Sequence, residues 1–336
     1  MYKKVASSAF AAKRLVVIGG GTGSFTVLQA VKSLTPNLTA LVSMADDGGS
    51  TGILRDELGV LPPGDIRQCL VALANAPQLR DLFNYRFDGG SLAGHSFGNL
   101  LLTALEKQTG SFVQAVETAS QVLNITGKVV PVTLDNVRLV ADMAEGVLRG
   151  EHAIDVATFS ASEPPHLRLD PVPQANPEAL QAIAEADVVI IAPGDLYTSL
   201  APALLVPGIG EALAHTTAQV LHICNLVSKP GHTDGMDVEA HAAEIERFAG
   251  RPILDVVLYN TAVPPTQLVD RYAKEQEHLV PVSHAPQLHY QLIGKSLLAG
   301  RSRVPAPSKA DALAMHRSLI RHDRELLRAA LLEIVE

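Results

Sequence analysis

The segment from Arg14 to Thr51 constrains the fold of this chain most strongly. An apolar run, Leu15–Ile18, ends at three consecutive glycines, and apolar residues with helical spacing follow at once. A second apolar run, Leu38–Met44, ends at Asp46 and Asp47 and a further glycine-rich stretch. Strand, glycine loop, helix, strand and acidic loop in this order predict a βαβ unit that holds a phosphate-bearing ligand.

Short apolar runs of strand length recur along the chain and alternate with amphipathic helical patterns. The runs are Leu15–Ile18, Leu38–Met44, Val129–Thr133, Ile154–Phe159, Asp187–Ala192, Gln219–Cys224 and Asp255–Tyr259. Several consist almost entirely of apolar residues, which is typical of strands buried on both faces. This alternation predicts an α/β fold with a Rossmann-like, doubly wound, mostly parallel sheet.

The domain organisation follows from the same pattern. Residues 129–173 contain successive β segments without an intervening helix, which predicts an antiparallel β insertion. We expect residues 1–13 to be an N-terminal tail and residues 14–336 to form a single α/β domain. The domain closes with a helix from Asp323 to Glu336, and Asp323 is its expected cap.

Composition and charge exclude several classes of protein. The net charge of −8 argues against nucleic-acid binding, which requires a basic face. Cys69 and Cys224 form no CxxC motif and no disulfide framework, so they resemble the buried thiols of a cytosolic protein. The N-terminus lacks the apolar region of a signal peptide, and no run approaches the ~18 apolar residues of a membrane span. We therefore expect a cytoplasmic protein without membrane insertion.

The glycine loop, Gly19–Ser24, is the first candidate site. Consecutive glycines let the backbone approach a ligand closely, and the first N–H groups of the following helix are unpaired donors. Ser24 stands where a dinucleotide fingerprint has its third glycine, so we do not expect NAD as the cofactor. The predicted ligand-binding residues of this loop are Gly20, Gly21, Thr22, Gly23 and Ser24.

The acidic loop is the second candidate site. The acidic loop follows the second predicted strand. One carboxylate at this position is enough to bind ribose hydroxyls, so the second carboxylate suggests a further role. A carboxylate about 5 Å from a phosphate would be repelled by it with roughly 3 kcal/mol at an effective dielectric constant of ~20. Asp46 and Asp47 are therefore expected to bind ligand hydroxyls, to hold a divalent cation such as Mg²⁺, or to act as a catalytic base. Gly49 and Ser50 belong to the same predicted site.

Further polar residues lie at predicted strand ends and helix starts. Asp65 suits a helix cap and is also a candidate for ligand binding, as is Arg67, which we expect to reach a phosphate or to pair with the acidic loop. An isolated loop histidine such as His95 is usually a surface residue, and the other polar residues also suit caps or turns. The remaining candidates for ligand binding are His95, Asn99, Gly194, Asp195, Tyr197, Thr198 and Asn225.

A series of motifs resembles a known family over nearly the whole chain. In order they are GGGTGS, ADDGGSTG, PPGDIRQCL, FDGGSLAGHSFGNLLLTAL, VLNITGKVVPVT, PGDLYTSLAPALLVPGIGEAL and HICNLVSKPG. Together they resemble the YvcK, or gluconeogenesis factor, family within the CofD (2-phospho-L-lactate transferase)-like superfamily. The resemblance implies a Rossmann-like protein that binds UDP-N-acetylglucosamine and acts in cell shape and peptidoglycan synthesis during growth on gluconeogenic carbon sources. It also implies roles in nucleotide-sugar binding for Tyr272 and Arg321.

Three functions remain open at this stage. A nucleotide-sugar-binding regulator would hold the diphosphate with the glycine loop and Arg321, and hydroxyls with the acidic loop and Asn225. A transferase would use Mg²⁺ on Asp46 or Asp47 to act on a deazaflavin acceptor, although the continuation GGSTG after these aspartates departs from the phospholactate transferases. An NAD-binding protein is the weakest alternative. The sequence names no protein partner in wall synthesis and leaves a homodimer open.

Overall fold

The apolar runs form a parallel sheet that is buried on both faces. The computed structural model describes residues 8–144, 146–159, 164–299 and 319–335. The strands within these ranges are β1 (Leu15–Ile18), β2 (Leu38–Val42), β3 (Lys128–Pro131), β4 (Arg138–Met143), β5 (Gly146–Arg149), β6 (His166–Asp170), β7 (Val188–Ile191), β8 (Gln219–Ile223), β9 (Val256–Asn260) and β10 (Gln291–Lys295). Seven of them pair in the order β10-β9-β8-β7-β1-β2-β3, and every pair is parallel. The predicted mostly parallel α/β sheet is confirmed.

Helices cover both faces of this sheet. They are α1 (Ser8–Ala12), α2 (Gly21–Val31), α3 (Gly49–Leu58), α4 (Gly64–Leu73), α5 (Pro77–Asn84), α6 (Phe97–Thr109), α7 (Phe112–Leu123), α8 (Glu151–Asp155), α9 (Pro177–Glu185), α10 (Ala201–Leu204), α11 (Ile209–His215), α12 (Val238–Ala249), α13 (Thr266–Lys274) and α14 (Arg324–Val335). Val17 packs in the core formed with α2, α4, α7 and α14, whereas its neighbour Ile18 packs in the core formed with α9 to α12. Successive strand residues therefore face opposite layers, as a doubly wound sheet requires.

The predicted β insertion is divided between two sheets. β3, from the predicted run Val129–Thr133, is the edge strand of the main sheet and pairs with β2. Only β4, β5 and β6 form a separate antiparallel sheet, in the order β5-β4-β6. The predicted strand Ile154–Phe159 is wrong, because α8 occupies Glu151–Asp155. The backbone N–H of His152 donates to Asp47 Oδ1 at 3.0 Å, so a residue distant in sequence stabilises the start of this helix.

The two ends of the chain also join the domain. In the predicted N-terminal tail, Phe10 of α1 is buried in the core, while residues 1–7 lie outside the described residues. The closing helix is confirmed, since Asp323 Oδ1 accepts from Glu325 N at 2.9 Å and from Leu326 N at 3.0 Å. Glu336 lies outside the described residues. The strand β10 lies outside the apolar runs that predict strands.

The order of the strands determines where a ligand can bind. From β1 the chain moves to β2 and β3 on one side, and later from β7 to β10 on the other side. The loops after β1 and β7 therefore diverge, and a crevice opens between them at the carboxyl edge of the sheet. Ligands of open α/β sheets bind in such a crevice.

One bent pair of helices has the combined length and apolar composition of a membrane span. Within the described ranges, no single helix is long and apolar enough to cross a bilayer. The segments Leu196–Leu204 and Ile209–His215, bent by 74°, meet the length and composition test only together. Both segments contribute residues to the buried core.

Candidate functional site

The glycine loop lies at the crevice and has no room for side chains at two positions. A Cβ on Gly20 would lie 1.9 Å from Asp65 Oδ2, and one on Gly23 would lie 1.6 Å from the carbonyl oxygen of Pro193. Gly21 has φ 64° and open space beyond it. Its N–H donates to Asp65 Oδ1 at 3.0 Å, so Asp65 caps α2 although it belongs to α4. The loop is thus held close to the loop after β7 and exposes its backbone at Gly21.

The two hydroxyl residues of the loop have different surroundings. Thr22 is exposed at the start of α2. Ser24 is buried beneath the loop, its Oγ lies 2.7 Å from the place where a Cβ of Gly19 would be, and it has no hydrogen-bond partner among the described residues. Ser24 therefore does not line the crevice, whereas Thr22 remains available there.

The paired aspartates are divided between two tasks. Asp47 Oδ2 lies 3.3 Å from Arg138 Nη1, and its other oxygen accepts from His152 N. Asp47 therefore ties the small antiparallel sheet and α8 to the acidic loop. Asp46 Oδ1 accepts from Gly48 N at 2.9 Å, and its carboxylate also bonds the Thr51 hydroxyl. Asp46 is the member of the pair that faces the other carboxylates of the crevice.

Three carboxylates make the crevice electrostatically unusual. Burial, then the charge of Asp46, raises the pKa of Asp65 to about 7. Burial also raises the pKa of Asp46, and it raises the pKa of Glu151 well above its usual value, with Asp46 and Asp65 adding to the effect. Glu151 is not among the residues that the sequence predicts for the site, because the sequence pattern predicts β structure for its segment, which is α8. In the part of the chain that the structure describes, no group of three or more His, Cys, Asp or Glu side chains has the geometry to hold a metal ion.

A polar chain adjoins this acidic group. Arg67 Nε donates to Asn99 Oδ1 at 3.0 Å, and Asn99 Nδ2 donates to Ser50 Oγ at 3.3 Å. Ser50 Oγ lies 2.9 Å from His95 Nδ1. His95 is buried, so the reading of this residue as a surface histidine is wrong. Arg67, which we expected to reach a phosphate or the acidic loop, also bonds Asn84 Oδ1 at 2.8 Å and thus orients asparagines.

The candidates after β7 and β8 mainly hold their own loops. Asp195 Oδ1 accepts from Tyr197 N at 3.1 Å and from Thr198 N at 3.0 Å, and both of those side chains are buried. Burial would raise the pKa of Asp195, but neighbouring His232 and Lys229 hold it below its usual value. Asn225 Oδ1 accepts from Gly194 N at 3.0 Å, and its Nδ2 donates to Gly194 O at 2.7 Å. These residues shape the wall of the crevice.

A cavity of about 470 Å³ lies beyond the ends of β9 and β10. Its lining is mostly apolar but includes the side chains of Arg271 and Arg321. Tyr272 is 7% exposed, and its hydroxyl accepts from the backbone N–H groups of Leu319 at 2.6 Å and Ile320 at 3.1 Å. The tyrosine thus holds the segment that carries Arg321. Since β7 and β8 separate β9 from β1, about 14 Å lies between the strand that leads into the glycine loop and the nearer of the two strands that end at this cavity.

Comparison with known proteins identifies the family of this chain. A family model described as 2-phospho-L-lactate transferase CofD matches residues 15–298. The chain belongs to the CofD family. Within it, the chain is 40% identical to the protein named "Gluconeogenesis factor" from Bacillus subtilis, over 78% of this chain and 83% of that protein. The chain is thus a gluconeogenesis-factor-like member of the CofD family, as the motif series predicted.

Two further relatives show how far the likeness extends. A related Nostoc protein is 46% identical over 80% of this chain, but the match spans only 59% of that longer protein. A crystal structure of a UPF0052 family protein from Bacillus halodurans has a TM-score of 0.83 and 36% identity, and the match covers 95% of this chain and 99% of that one. The fold described above is therefore the fold of a solved relative.

Proposed function

We propose that this chain binds UDP-N-acetylglucosamine in the crevice at the carboxyl edge of the main sheet. The observation that carries the proposal is the glycine loop, which begins α2 at the divergence of β1 and β7 and leaves open space beyond Gly21. The N–H of Gly21 already donates to Asp65, so a diphosphate would use the N–H groups of the next residues of the first turn, Thr22 and Gly23, where the helix N-terminus favours anions. The adjacent carboxylate of Asp46 suits sugar hydroxyls.

The separation of the glycine loop from the arginine cavity is consistent with a long ligand that contacts both. A single phosphate could not contact both the glycine loop and the arginine cavity across about 14 Å. A nucleotide sugar carries its diphosphate between a sugar and a base, so in this proposal the uridine occupies the cavity lined by Arg271 and Arg321. Tyr272 contributes by holding the Arg321 segment, because its hydroxyl already accepts from Leu319 N and Ile320 N.

The proposed physiological role is regulation in the cytoplasm. The name of the Bacillus subtilis relative supports a link to gluconeogenesis. We infer that occupancy by UDP-N-acetylglucosamine couples carbon metabolism to peptidoglycan synthesis and cell shape. Such a regulator needs a ligand whose concentration reports the supply of wall precursors, and this nucleotide sugar is one.

A pair of matched glycine variants tests the site. Gly21 and Gly59 both have φ 64° and open space around them, so Gly21→Val and Gly59→Val impose similar backbone strain. Gly59 ends α3, a helix of about 15 Å, and lies outside the crevice. Titration calorimetry with UDP-N-acetylglucosamine should show affinity at least about tenfold weaker for Gly21→Val, or about 1.4 kcal/mol, and unchanged for Gly59→Val. Wild-type affinity in Gly21→Val would remove the glycine loop from the proposal.

A second candidate function is an Mg²⁺-dependent transferase. The observation that favours it is the group of Asp46, Asp65 and Glu151, whose raised pKa values indicate a need for positive charge. Mg²⁺ commonly binds through one or two carboxylates together with substrate phosphates, so a complete protein cage is not required. A thermal-shift panel separates the candidates, because a ligand at ~100 times its Kd stabilises by about 2.7 kcal/mol. Response to a guanine nucleotide only with Mg²⁺, with turnover of a deazaflavin acceptor, would favour the transferase; response to NAD alone would contradict both.

A further inference from the structure

Ser50 and His95 meet at the acidic end of the crevice in the geometry of a nucleophile and its base. The 2.9 Å between Ser50 Oγ and His95 Nδ1 is a hydrogen-bond distance, as such pairs require. The two residues are 45 positions apart in the sequence, on α3 and on the loop before α6. Folding therefore brings together two residues that the sequence offered only as separate candidates.

The neighbouring side chains leave the Ser50 proton available for His95. The Arg67 guanidinium can only donate, so the Asn99 oxygen accepts from it and the Asn99 amide nitrogen donates to Ser50 Oγ. Ser50 Oγ thus uses one lone pair for Asn99 and keeps its own proton for His95 Nδ1. The nucleophile–base arrangement is the tautomer of neutral His95 with its proton on Nε2, which presents Nδ1 to the serine hydroxyl.

The backbone around Ser50 suits an attacking group. Ser50 is the second residue of α3; the N–H groups of Thr51 and Gly52 already donate to Gly48 O, so a developing oxyanion would be bonded by the N–H groups of the first two residues of the helix, Gly49 and Ser50. Gly48-Gly49-Ser50-Thr51-Gly52 also has the G-x-S-x-G spacing typical of serine nucleophiles, although here the positive φ of 45° belongs to Gly49. This spacing is the sequence signal that could have found the pair.

We propose that Ser50 is a nucleophile, that His95 is its base, and that the group attacked is the phosphoanhydride of the bound nucleotide sugar. The identity of this substrate rests on the proposed function. Ser50 Oγ forms a bond to the sugar-linked phosphorus, the anhydride P–O bond breaks, and the nucleoside monophosphate leaves. The Ser50 proton passes to His95 Nδ1. Asn99 and Arg67 are positioning residues that orient the hydroxyl.

A fluorophosphonate probe tests the nucleophile without the natural substrate. Ser50 Oγ bonds to the probe phosphorus, fluoride leaves, and the proton goes to His95. Mass spectrometry of the labelled protein should place the adduct on Ser50, and the other serines of the same chain serve as internal controls. His95→Gln should slow labelling by about 100-fold or more, the size of a general-base contribution. Ser50→Ala should remove the adduct while its melting temperature shows that it is folded.

A thiol variant tests the pairing independently. Ser50→Cys should give a thiol whose pKa lies at least one unit below the ordinary value of about 8.5, as measured by the pH dependence of iodoacetamide alkylation. The native thiols are silent in this assay, because Cys69 and Cys224 are buried and burial raises the pKa of each. Adding His95→Gln should restore the ordinary thiol pKa.

The outcomes separate this proposal from the proposed ligand. If saturating UDP-N-acetylglucosamine suppresses the adduct on Ser50, the result supports both the nucleophile and the ligand assignment. An adduct that this ligand does not suppress supports the nucleophile and contradicts the ligand assignment. Absence of an adduct on Ser50 overturns the nucleophile, and a lowered thiol pKa in Ser50→Cys would then show that the pair shares a proton without attacking.

Discussion

The carboxyl edge of the sheet has an acidic end and an arginine end, and the two differ in how the fold accommodates their charges. At the acidic end, burial raises the pKa of Asp46, Asp65 and Glu151, and repulsion from a neighbouring carboxylate adds to each shift. At the arginine end, the side chains of Arg271 and Arg321 line a cavity with mostly apolar walls. Buried like charges weaken a fold and are characteristic of functional sites. The acidic end is therefore arranged for a ligand or cation at a cost in stability. Among the described residues that line it, the arginine end has no group of buried carboxylates that imposes such a cost.

Neutralising Asp65 should have the largest effect on stability, and the effect should depend on pH. The folded pKa of about 7 exceeds the unfolded value near 3.9, so the folded state binds the proton more tightly between these values. Wild-type stability therefore decreases as pH rises from about 4 to 7, by at most about 1.4 kcal/mol per pH unit. Asp65→Asn keeps an oxygen for Gly21 N and does not titrate, so its stability relative to wild type should increase over this range and level off above pH 7.

Urea unfolding at pH 4.5, 6 and 8 measures this effect. The exposed Asp81→Asn is the matched control and should show no such trend. An upper bound for the gain of Asp65→Asn at pH 8 is about 4 kcal/mol, from the difference between the two pKa values. A constant difference from wild type at all three pH values would contradict a raised pKa of Asp65.

Tyr272→Phe tests the arginine end and should have the next largest effect. The substitution removes the oxygen that accepts from Leu319 N and Ile320 N, and losing these two hydrogen bonds costs about 1 to 3 kcal/mol. The loss should be the same between pH 5 and 8, because it comes from hydrogen bonds to backbone N–H groups. Affinity for UDP-N-acetylglucosamine should fall as well, since the Arg321 segment loses its attachment. Tyr85→Phe, at an exposed tyrosine, is the control; wild-type stability in Tyr272→Phe would instead favour a tyrosine whose role is to contact the ligand.

Glu151→Gln should produce the smallest change, which should be a gain in stability and not the loss expected for Tyr272→Phe. A neutral amide in place of a carboxyl whose ionised form is disfavoured by burial should stabilise the unliganded protein by about 1 kcal/mol at pH 7.5, a gain typical of changes that relieve a strained functional site. Thermal unfolding with and without UDP-N-acetylglucosamine and Mg²⁺ would measure both the gain and the expected weaker ligand response. Glu117→Gln, on the exposed side of α7, should change neither quantity. A destabilised Glu151→Gln would mean that the carboxylate supports the fold.

The sheet could be predicted because its signals are local. Leu15–Ile18 and the similar runs are apolar on both faces, and the three glycines with the paired aspartates mark the strand ends. The failures have long-range causes. The helix α8 replaces a predicted strand because Asp47, 105 residues away from His152, binds the N-terminal turn of that helix. No local pattern carries that information.

The site shows the same division. Candidates from the glycine loop and the acidic loop could be listed from the residues alone, because strand ends in a parallel sheet meet at one edge. The orientations of the candidate side chains could not be predicted from the sequence. Ser24 is buried beneath its loop, Tyr197 packs in the core, and Asn225 bonds Gly194. Glu151 entered the crevice only through the packing of α8.

The sequence by itself determined the βαβ start, the parallel α/β sheet and the family, because apolar periodicity, glycine clusters and motif order are properties of short segments. Only the tertiary structure decided that Asp46 faces the crevice while Asp47 binds Arg138, and that Ser50 meets His95. It also set the glycine loop after β1 about 14 Å from the arginine cavity beyond β9. The physical reason is that hydrogen bonds, burial and charge repulsion act between atoms that are close in space, and most of these partners are 40 or more residues apart in the chain.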